Sequence, residues 1–226
     1  MSAVFFSKRR WLYIACNQLL AVFFIICGLY AVMIKHASSV WVGKSFYFIL
    51  SEDVHIEVGA YESRLDGGAG YLLEYEGEEY IAWSVYLKEE DGITVQGNID
   101  TPTKLVKWEV THLYFKTFGE KKRKRVIKGA LNNLYGCIDI LSQGIAMLDQ
   151  GSTQVTIREI LTTLQRQVAY LGKTYQDAYP QFSKVCAGVQ TSLEGLMDTT
   201  IYGKDLRYLL CGMCDAYIRL ASVYTL

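Results

Sequence analysis

The chain lacks the residues and motifs on which much enzyme chemistry depends. Its three histidines are scattered, and it has no HExxH pair, nucleophile elbow, phosphate-binding loop or dinucleotide fingerprint. The carboxylate clusters Glu78-Glu79 and Glu89-Glu90-Asp91 fall in a predicted turn and a predicted first helical turn, where solvation and capping explain them. We therefore expect a protein that is not an enzyme and that holds no cofactor and no metal.

An excess of charge of one sign is also missing. Lys plus Arg and Asp plus Glu are equal at 23 each, which argues against a strongly basic, nucleic-acid-binding domain. Only two prolines occur in 226 residues, and 51% of the residues are hydrophobic, so little of the chain is expected to be disordered. The sequence predicts one or two compact domains and no nucleic-acid partner.

Cysteine is present, but without the pattern of a metal site. Cys211 and Cys214 have the C-x-x-C spacing of a redox motif or of half a zinc site. The two lie within a helical apolar repeat, no second such motif exists, and no histidine follows residue 112. We expect both thiols to pack as small hydrophobic groups, with a disulfide or a metal site as the alternatives.

The longest apolar segment, residues 11–34, carries no charge and would measure about 36 Å as a helix, enough to cross a bilayer. Three basic residues precede it, so the positive-inside rule predicts that residues 1–10 are cytoplasmic and that the C-terminal domains are extracytoplasmic. A cleaved signal peptide, processed near residues 37–39, is the alternative. We expect a single-pass transmembrane helix in the cell membrane, followed by a linker at 35–44.

Residues 45–118 have the pattern of a small α+β domain. Strands are predicted at residues 45–50 (SFYFIL), at YLLEY, at EEYIAWSVY and at residues 104–115, and KEEDGITVQGNI is predicted to be a helix. Residues 53–66 fit either a helix with Tyr61 and Leu65 on its apolar face or an extended strand. With the helix, the order is β-α-β-β-α-β, a ferredoxin-like arrangement with both helices on one face of the sheet.

Strict alternation along EEYIAWSVY divides its side chains between the two faces of that sheet. Ile81, Trp83 and Val85 are predicted on one face. The other face receives Tyr80, Ala82, Ser84 and Tyr86.

The FYFIL strand, the GGAGY turn, the hairpin and the segment YIAWSVYLKEEDGITV together resemble the SPOR domain over residues 45–115. Gly92 departs from the alanine that this family usually has in the second helix. The resemblance implies binding of peptidoglycan glycan strands across the open face of the sheet, in proteins of bacterial cell division or sporulation. Tyrosine rings suit sugar faces, and the implied glycan-binding residues are Tyr47, Tyr80, Ser84 and Tyr86. Packing of these side chains against the helical half is the alternative.

The remainder, residues 126–226, follows a basic hinge at residues 119–125 and predicts an antiparallel four-helix bundle. Apolar residues recur at spacings of three and four, with breaks near Gly151, Pro180 and Gly203. A bundle by itself assigns no activity. Two functions follow: a bitopic cell-envelope protein that binds glycan through the SPOR-like domain, or a membrane-anchored interaction or scaffold protein that binds a protein partner through its bundle.

Overall fold

A computed structural model describes residues 18–30, 39–52, 56–115 and 121–225. The architecture is a mixture of helices and one four-stranded sheet. The first helix belongs to one compact unit, while the strands after residue 39 and the C-terminal helices share a second. The predicted α+β domain and the predicted bundle are therefore parts of one compact body.

Helix α1, residues 18–30, is exposed along its whole length. Within the part of the chain that the structure describes, no helix is long and apolar enough to cross a membrane. This finding contradicts the predicted transmembrane helix at residues 11–34, and with it the single-pass, cell-membrane localisation. The remainder of that predicted span lies outside the described residues.

The second unit begins with the β-α-β-β-α-β order that the sequence predicts. Its sheet has the strand order β2-β3-β1-β4, and β3 pairs antiparallel with both β1 and β2. Helix α2 settles the alternative at residues 53–66 in favour of a helix, although residues 53–55 lie outside the description. The elements are β1 (Ser39–Ser51), α2 (Ile56–Leu65), β2 (Tyr71–Tyr75), β3 (Glu78–Tyr86), α3 (Glu89–Gln96) and β4 (Thr103–Tyr114).

Strand β1 is longer than the predicted strand at residues 45–50. It starts at Ser39, inside the segment predicted as a linker at 35–44, and Val42 is buried. The hairpin between β2 and β3 matches its prediction. Glu76 and Gly77 turn the chain with positive φ angles of 55° and 84°, the conformation of a two-residue turn that fits the twist of the strands.

Four helices complete the unit, and their contacts make neighbours antiparallel. Arg158, near the start of one helix, donates to the Met197 carbonyl at the end of the next. Arg207 lies near the start of the fourth of these helices and pairs with Asp149, which ends the first of the four. The predicted basic hinge at residues 119–125 is instead mostly helix from Lys121. The helices are α4 (Lys121–Asp149), α5 (Gln154–Thr174), α6 (Pro180–Met197) and α7 (Gly203–Ser222).

A β-bulge at Trp83 changes which side chains of β3 share a face. Ile49 of β1 pairs with Ser84, but Leu50 pairs with Ala82, so Trp83 is an extra residue in β3. A bulge shifts the alternation by one position in the rest of the strand. The strict alternation predicted for β3 is therefore wrong.

The contacts on either side of the sheet agree with this shift. Ile81 faces α2, since a Cβ added to Gly59 would lie 2.7 Å from Ile81 Cδ1. Tyr71, the partner of Ala82 in β2, faces α7, since a Cβ added to Gly212 would lie 3.4 Å from its ring. A Cβ added to Gly92 of α3 would lie 3.7 Å from the Cβ of Tyr47, which is on the same face as Ile81. Helices α2 and α3 thus cover one face of the sheet, and α7 covers part of the other.

Candidate functional site

Three of the four predicted glycan-binding residues lie on the face that α2 and α3 cover. Tyr47 pairs directly with Tyr86, and Ser84 pairs with Ile49 on the same face. A Cβ added to Gly92 of α3 would lie 3.7 Å from the Cβ of Tyr47. Ser84 is buried, and burial raises the pKa of Tyr86. Tyr47 and Tyr86 are half-buried, and Ser84 and Tyr86 line a cavity on this side, so the three side chains lie on the helix-covered face of the sheet and not on its open face.

The fourth predicted residue, Tyr80, lies beyond the bulge and on the opposite face. It pairs with Leu73 of β2. Leu73 is two residues from Tyr71, which faces α7, so Tyr80 lies on the same face as Tyr71. The structure therefore does not bring the four predicted residues together.

Helix α7 covers one half of this opposite face. The Tyr71 hydroxyl donates to the Asp215 carboxylate at 2.8 Å, and its ring meets the ring of Tyr208 at 5.2 Å between centroids. Phe46 of β1 contacts Tyr217 of α7 at 5.2 Å between centroids. Burial, followed by the hydrogen bond and the charge of Asp215, raises the pKa of Tyr71 well above its usual range. This half of the face is part of the core.

The other half carries a group of half-exposed aromatic side chains, the aromatic cluster, made up of Tyr75, Tyr80 and Trp108 with Lys104. The Tyr75 ring is 6.3 Å from Tyr80 and 5.3 Å from Trp108, and both contacts are edge-to-face. The Lys104 Nζ lies 3.9 Å from the centre of the Tyr80 ring. The cluster therefore presents ring surface and a cation side by side at the surface.

Polar groups surround these rings. The Tyr80 hydroxyl donates to a carboxylate oxygen of Glu78 at 2.9 Å. Slight burial and a hydrogen bond with Glu76 raise the pKa of Tyr75, which keeps its hydroxyl protonated at neutral pH. The cluster thus offers hydroxyl and ammonium donors together with a carboxylate acceptor, the mixture that binds a hydroxylated ligand in a defined orientation.

Local sequence explains how the cluster is assembled. The two-residue turn fixes the hairpin register, so Tyr75 and Tyr80 become diagonal neighbours on one face. Lys104 and Trp108 lie four residues apart in β4, so they share a face of that strand. Of these rings, Tyr80 was predicted from the sequence and Tyr75 and Trp108 were not, although the even spacing of Lys104 and Trp108 in a predicted strand was visible.

A separate apolar groove lies between α6 and α7, with a volume of about 550 Å³. The ion pair of Arg64 and Asp205, 2.6 Å between its closest atoms, stands on its wall. Small side chains on both helices, among them Gly188 and Gly212, leave room for an occupant. The residues of the two helices that line the groove include Val185, Gly188 and Ser192 of α6 and Tyr208, Gly212 and Ala216 of α7.

The C-x-x-C pair lies in the core of the bundle. Cys211 and Cys214 are free and fully buried, and burial raises the pKa of both thiols well above the usual range. Reactive or metal-binding cysteines need the opposite shift, because the thiolate is the reactive form. Among the residues that the structure describes, no group of three His, Cys, Asp or Glu side chains has the geometry to hold a metal ion.

Comparison of the chain with protein-family models, with curated proteins and with solved structures finds no match.

Proposed function

We propose that the protein binds peptidoglycan glycan strands at the aromatic cluster and catalyses no reaction. One observation carries this proposal: Tyr75, Tyr80 and Trp108 form a contiguous, half-exposed group on the sheet face opposite α2 and α3. Aromatic rings pack against the apolar faces of sugar rings and lose little conformational entropy on binding. The polar neighbours Lys104 and Glu78 hydrogen-bond to sugar hydroxyls.

Ring orientation favours a chain of linked sugars over a single ring. The Tyr75 ring is inclined by 63° to Tyr80 and by 70° to Trp108, so the three rings present surfaces in different directions. A ligand with several units contacts more than one of these surfaces at once, and the contacts then reinforce one another.

Position on the sheet also supports the proposal. The resemblance of residues 45–115 to the SPOR domain implies glycan binding on the face away from the two helices. The cluster lies on that face, in the half to which α7 does not extend. The binding residues that we propose therefore keep Tyr80 and replace Tyr47, Ser84 and Tyr86 with Tyr75, Trp108 and Lys104.

Co-sedimentation of the full chain with purified peptidoglycan sacculi, before and after amidase treatment, tests the proposal. Trp108→Ala removes the largest ring of the cluster and is expected to lower affinity for amidase-treated sacculi about tenfold, or about 1.4 kcal/mol. Tyr170→Ala is a matched control, because Tyr170 is an exposed aromatic residue on α5. Equal binding by wild type and Trp108→Ala would contradict the proposal.

A second candidate function, scaffolding through self-association of the bundle, is favoured by the groove between α6 and α7. Small residues in a groove let another helix approach closely. A Cβ added to Gly188 meets nothing within 4 Å, so the groove is open there. Sedimentation velocity should then show a wild-type oligomer that Gly188→Leu converts to monomer; a monomeric wild type would exclude this candidate.

A further inference from the structure

A cleft on the α2 side of the sheet has features that neither the aromatic cluster nor the groove explains. Two cavities of about 450 Å³ and 280 Å³ adjoin there and share Asp66, Trp83 and Thr101 in their walls. We call the two together the acidic cleft. No residue of the aromatic cluster lines it, and it opens on the opposite face of the sheet.

A buried hydroxyl without a partner lines this cleft. Ser63 of α2 is 1% exposed, and its Oγ has no hydrogen-bond partner within the described part of the chain. Buried polar groups are nearly always satisfied, because an unpaired one has lost its water without replacement. The Ser63 Oγ is therefore available to a hydrogen-bonding group that enters the cavity.

The same hydroxyl lies beside the indole of Trp83. A Cβ added to Gly68 would lie 2.5 Å from Ser63 Oγ and 2.7 Å from Trp83 Cε3, so both groups meet over this glycine. The bulge in β3 turns Trp83 to this side, where its ring is half-buried. The cleft thus combines an aromatic ring with an unpaired oxygen.

Charge in the cleft is negative. The exposed carboxylates of Glu62, Asp66 and Asp100 line it, and the ion pairs among described residues involve none of them. Arg207 also lines it, but its guanidinium is already engaged. It donates to both oxygens of Asp149, at 2.7 and 2.6 Å, and to the Gly67 carbonyl at 3.1 Å.

We propose that the acidic cleft binds a primary organic ammonium ion. Its N–H groups donate to the carboxylates of Asp66 and Asp100 and to Ser63 Oγ, and its carbon chain lies against Trp83. The indole gives the carbon chain an apolar surface to pack against, and the carboxylates give the charge complementarity. The larger cavity, about 450 Å³, is in the range of organic-ligand sites, roughly 300–1,000 Å³, and both cavities are far larger than a bare metal ion requires.

Isothermal titration calorimetry of the full chain tests this with two ammonium probes, 1,5-diaminopentane as a free amine and Nα-acetyl-lysine amide as a peptide-borne one. Binding of either supports the proposal and identifies the source of the ammonium group. The neutral isostere 1,5-pentanediol should not bind. Pentanediol binding as tightly as the diamine, or no heat from either ammonium probe with folded protein, would overturn the proposal.

Variants locate the site. Asp66→Asn and Asp100→Asn are each expected to weaken diamine binding about fivefold, the upper range for one exposed charge pair. Glu159→Gln, which removes an exposed carboxylate from α5, is the matched control and should bind normally. Unchanged affinity in both Asp variants would place binding elsewhere and overturn the assignment.

Ser63→Ala separates a ligand-binding role from a structural one. Without ligand, the variant should melt no lower than wild type, because it removes a buried hydroxyl that has no partner. Its diamine affinity should still fall severalfold. A lower melting temperature with unchanged affinity would show that Ser63 is a structural residue and not a contact of the ligand.

Discussion

At the scale of single residues, the hydrogen bond between Tyr71 and Asp215 links the sheet to the bundle. The Asp215 carboxylate is 7% exposed and accepts from the Tyr71 hydroxyl at 2.8 Å and from the Arg219 Nε at 2.9 Å. Burial of an ionised group is tolerated when charged and neutral donors satisfy it. The sheet and α7 are therefore joined by a specific polar contact beside the aromatic contacts of Phe46 with Tyr217 and of Tyr71 with Tyr208.

Loss of this contact should weaken the whole unit. Tyr71→Phe leaves the aromatic contact with Tyr208 in place but removes one of the donors to the buried carboxylate of Asp215. We expect the free energy of unfolding to fall by about 1–2 kcal/mol, measured by urea denaturation. Tyr202→Phe, at an exposed tyrosine, is the control and should change stability by less than about 0.5 kcal/mol. Equal stability of the two variants would show that the hydrogen bond contributes nothing.

One position, Trp83, makes the faces predicted for the side chains of β3 wrong. The local sequence pattern predicted the bounds of β3 correctly. Strict alternation of its side chains, however, put Tyr80 and Tyr86 on the same face. The bulge at Trp83 depends on how β3 pairs with β1, a distant segment of the chain. No local pattern in EEYIAWSVY reports that pairing, so the predicted platform could not be corrected from sequence.

At the scale of elements, the β2–β3 hairpin positions two of the three rings of the aromatic cluster. Its turn requires left-handed backbone at both central residues, and Glu76, at φ 55°, is not glycine. Non-glycine residues other than Asn and Asp rarely adopt this conformation. The turn is therefore formed with a strained residue at its first position.

Relief of that strain should stabilise the hairpin. Glu76→Asn creates the Asn-Gly pair that two-residue turns of this type favour, and should raise the free energy of unfolding by about 0.5 kcal/mol. Gly77→Ala, at φ 84°, should lower it by about 1 kcal/mol. Chemical denaturation of both variants measures the changes. A loss of stability in Glu76→Asn would mean that the Glu76 side chain is needed where it is.

The helices of the bundle were predictable because each carries its apolar residues at spacings of three and four. Leu131, Leu134 and Leu164, for example, are fully buried as that spacing requires. Helix α2 was harder, because its predicted apolar residues Tyr61 and Leu65 are 66% and 64% exposed. It packs through Gly59 and Ser63 instead, since only small side chains allow the helix to approach the sheet closely.

At the scale of the whole molecule, the second unit has one sheet with two unequal faces. Helices α2 and α3 cover one face and leave the acidic cleft between them and the strands. The bundle covers half of the other face through α7 and leaves the aromatic cluster exposed. Composition and periodicity predicted the two building blocks but not their packing, because side chains from distant parts of the chain form that interface.

Stability of the unit should fall at alkaline pH. Burial raises the pKa of Cys137 to about 11 and that of Cys186 to about 12, and raises those of Cys211 and Cys214 as well. A raised pKa in the folded state means that stability is complete below the unfolded thiol pKa, roughly 8.5, and is lost as pH rises above it.

Urea denaturation between pH 7 and pH 10 measures this effect. We expect the free energy of unfolding to decrease above pH 8.5, and Cys186→Ala, which removes one of the titrating thiols, to decrease less steeply over the same range. A free energy of unfolding that stayed constant to pH 10 would contradict the burial of the thiols.

Sacculus binding by two single variants tests the central claim most directly. Tyr80 lies in the aromatic cluster, whereas Tyr86 pairs with Tyr47 and lines the acidic cleft on the opposite face. Both were predicted from sequence to bind glycan. With amidase-treated sacculi, Tyr80→Ala should lose most of its binding while folded Tyr86→Ala binds like wild type. If only Tyr86→Ala lost binding, or if both variants bound like wild type, the placement of the glycan site at the aromatic cluster would be contradicted.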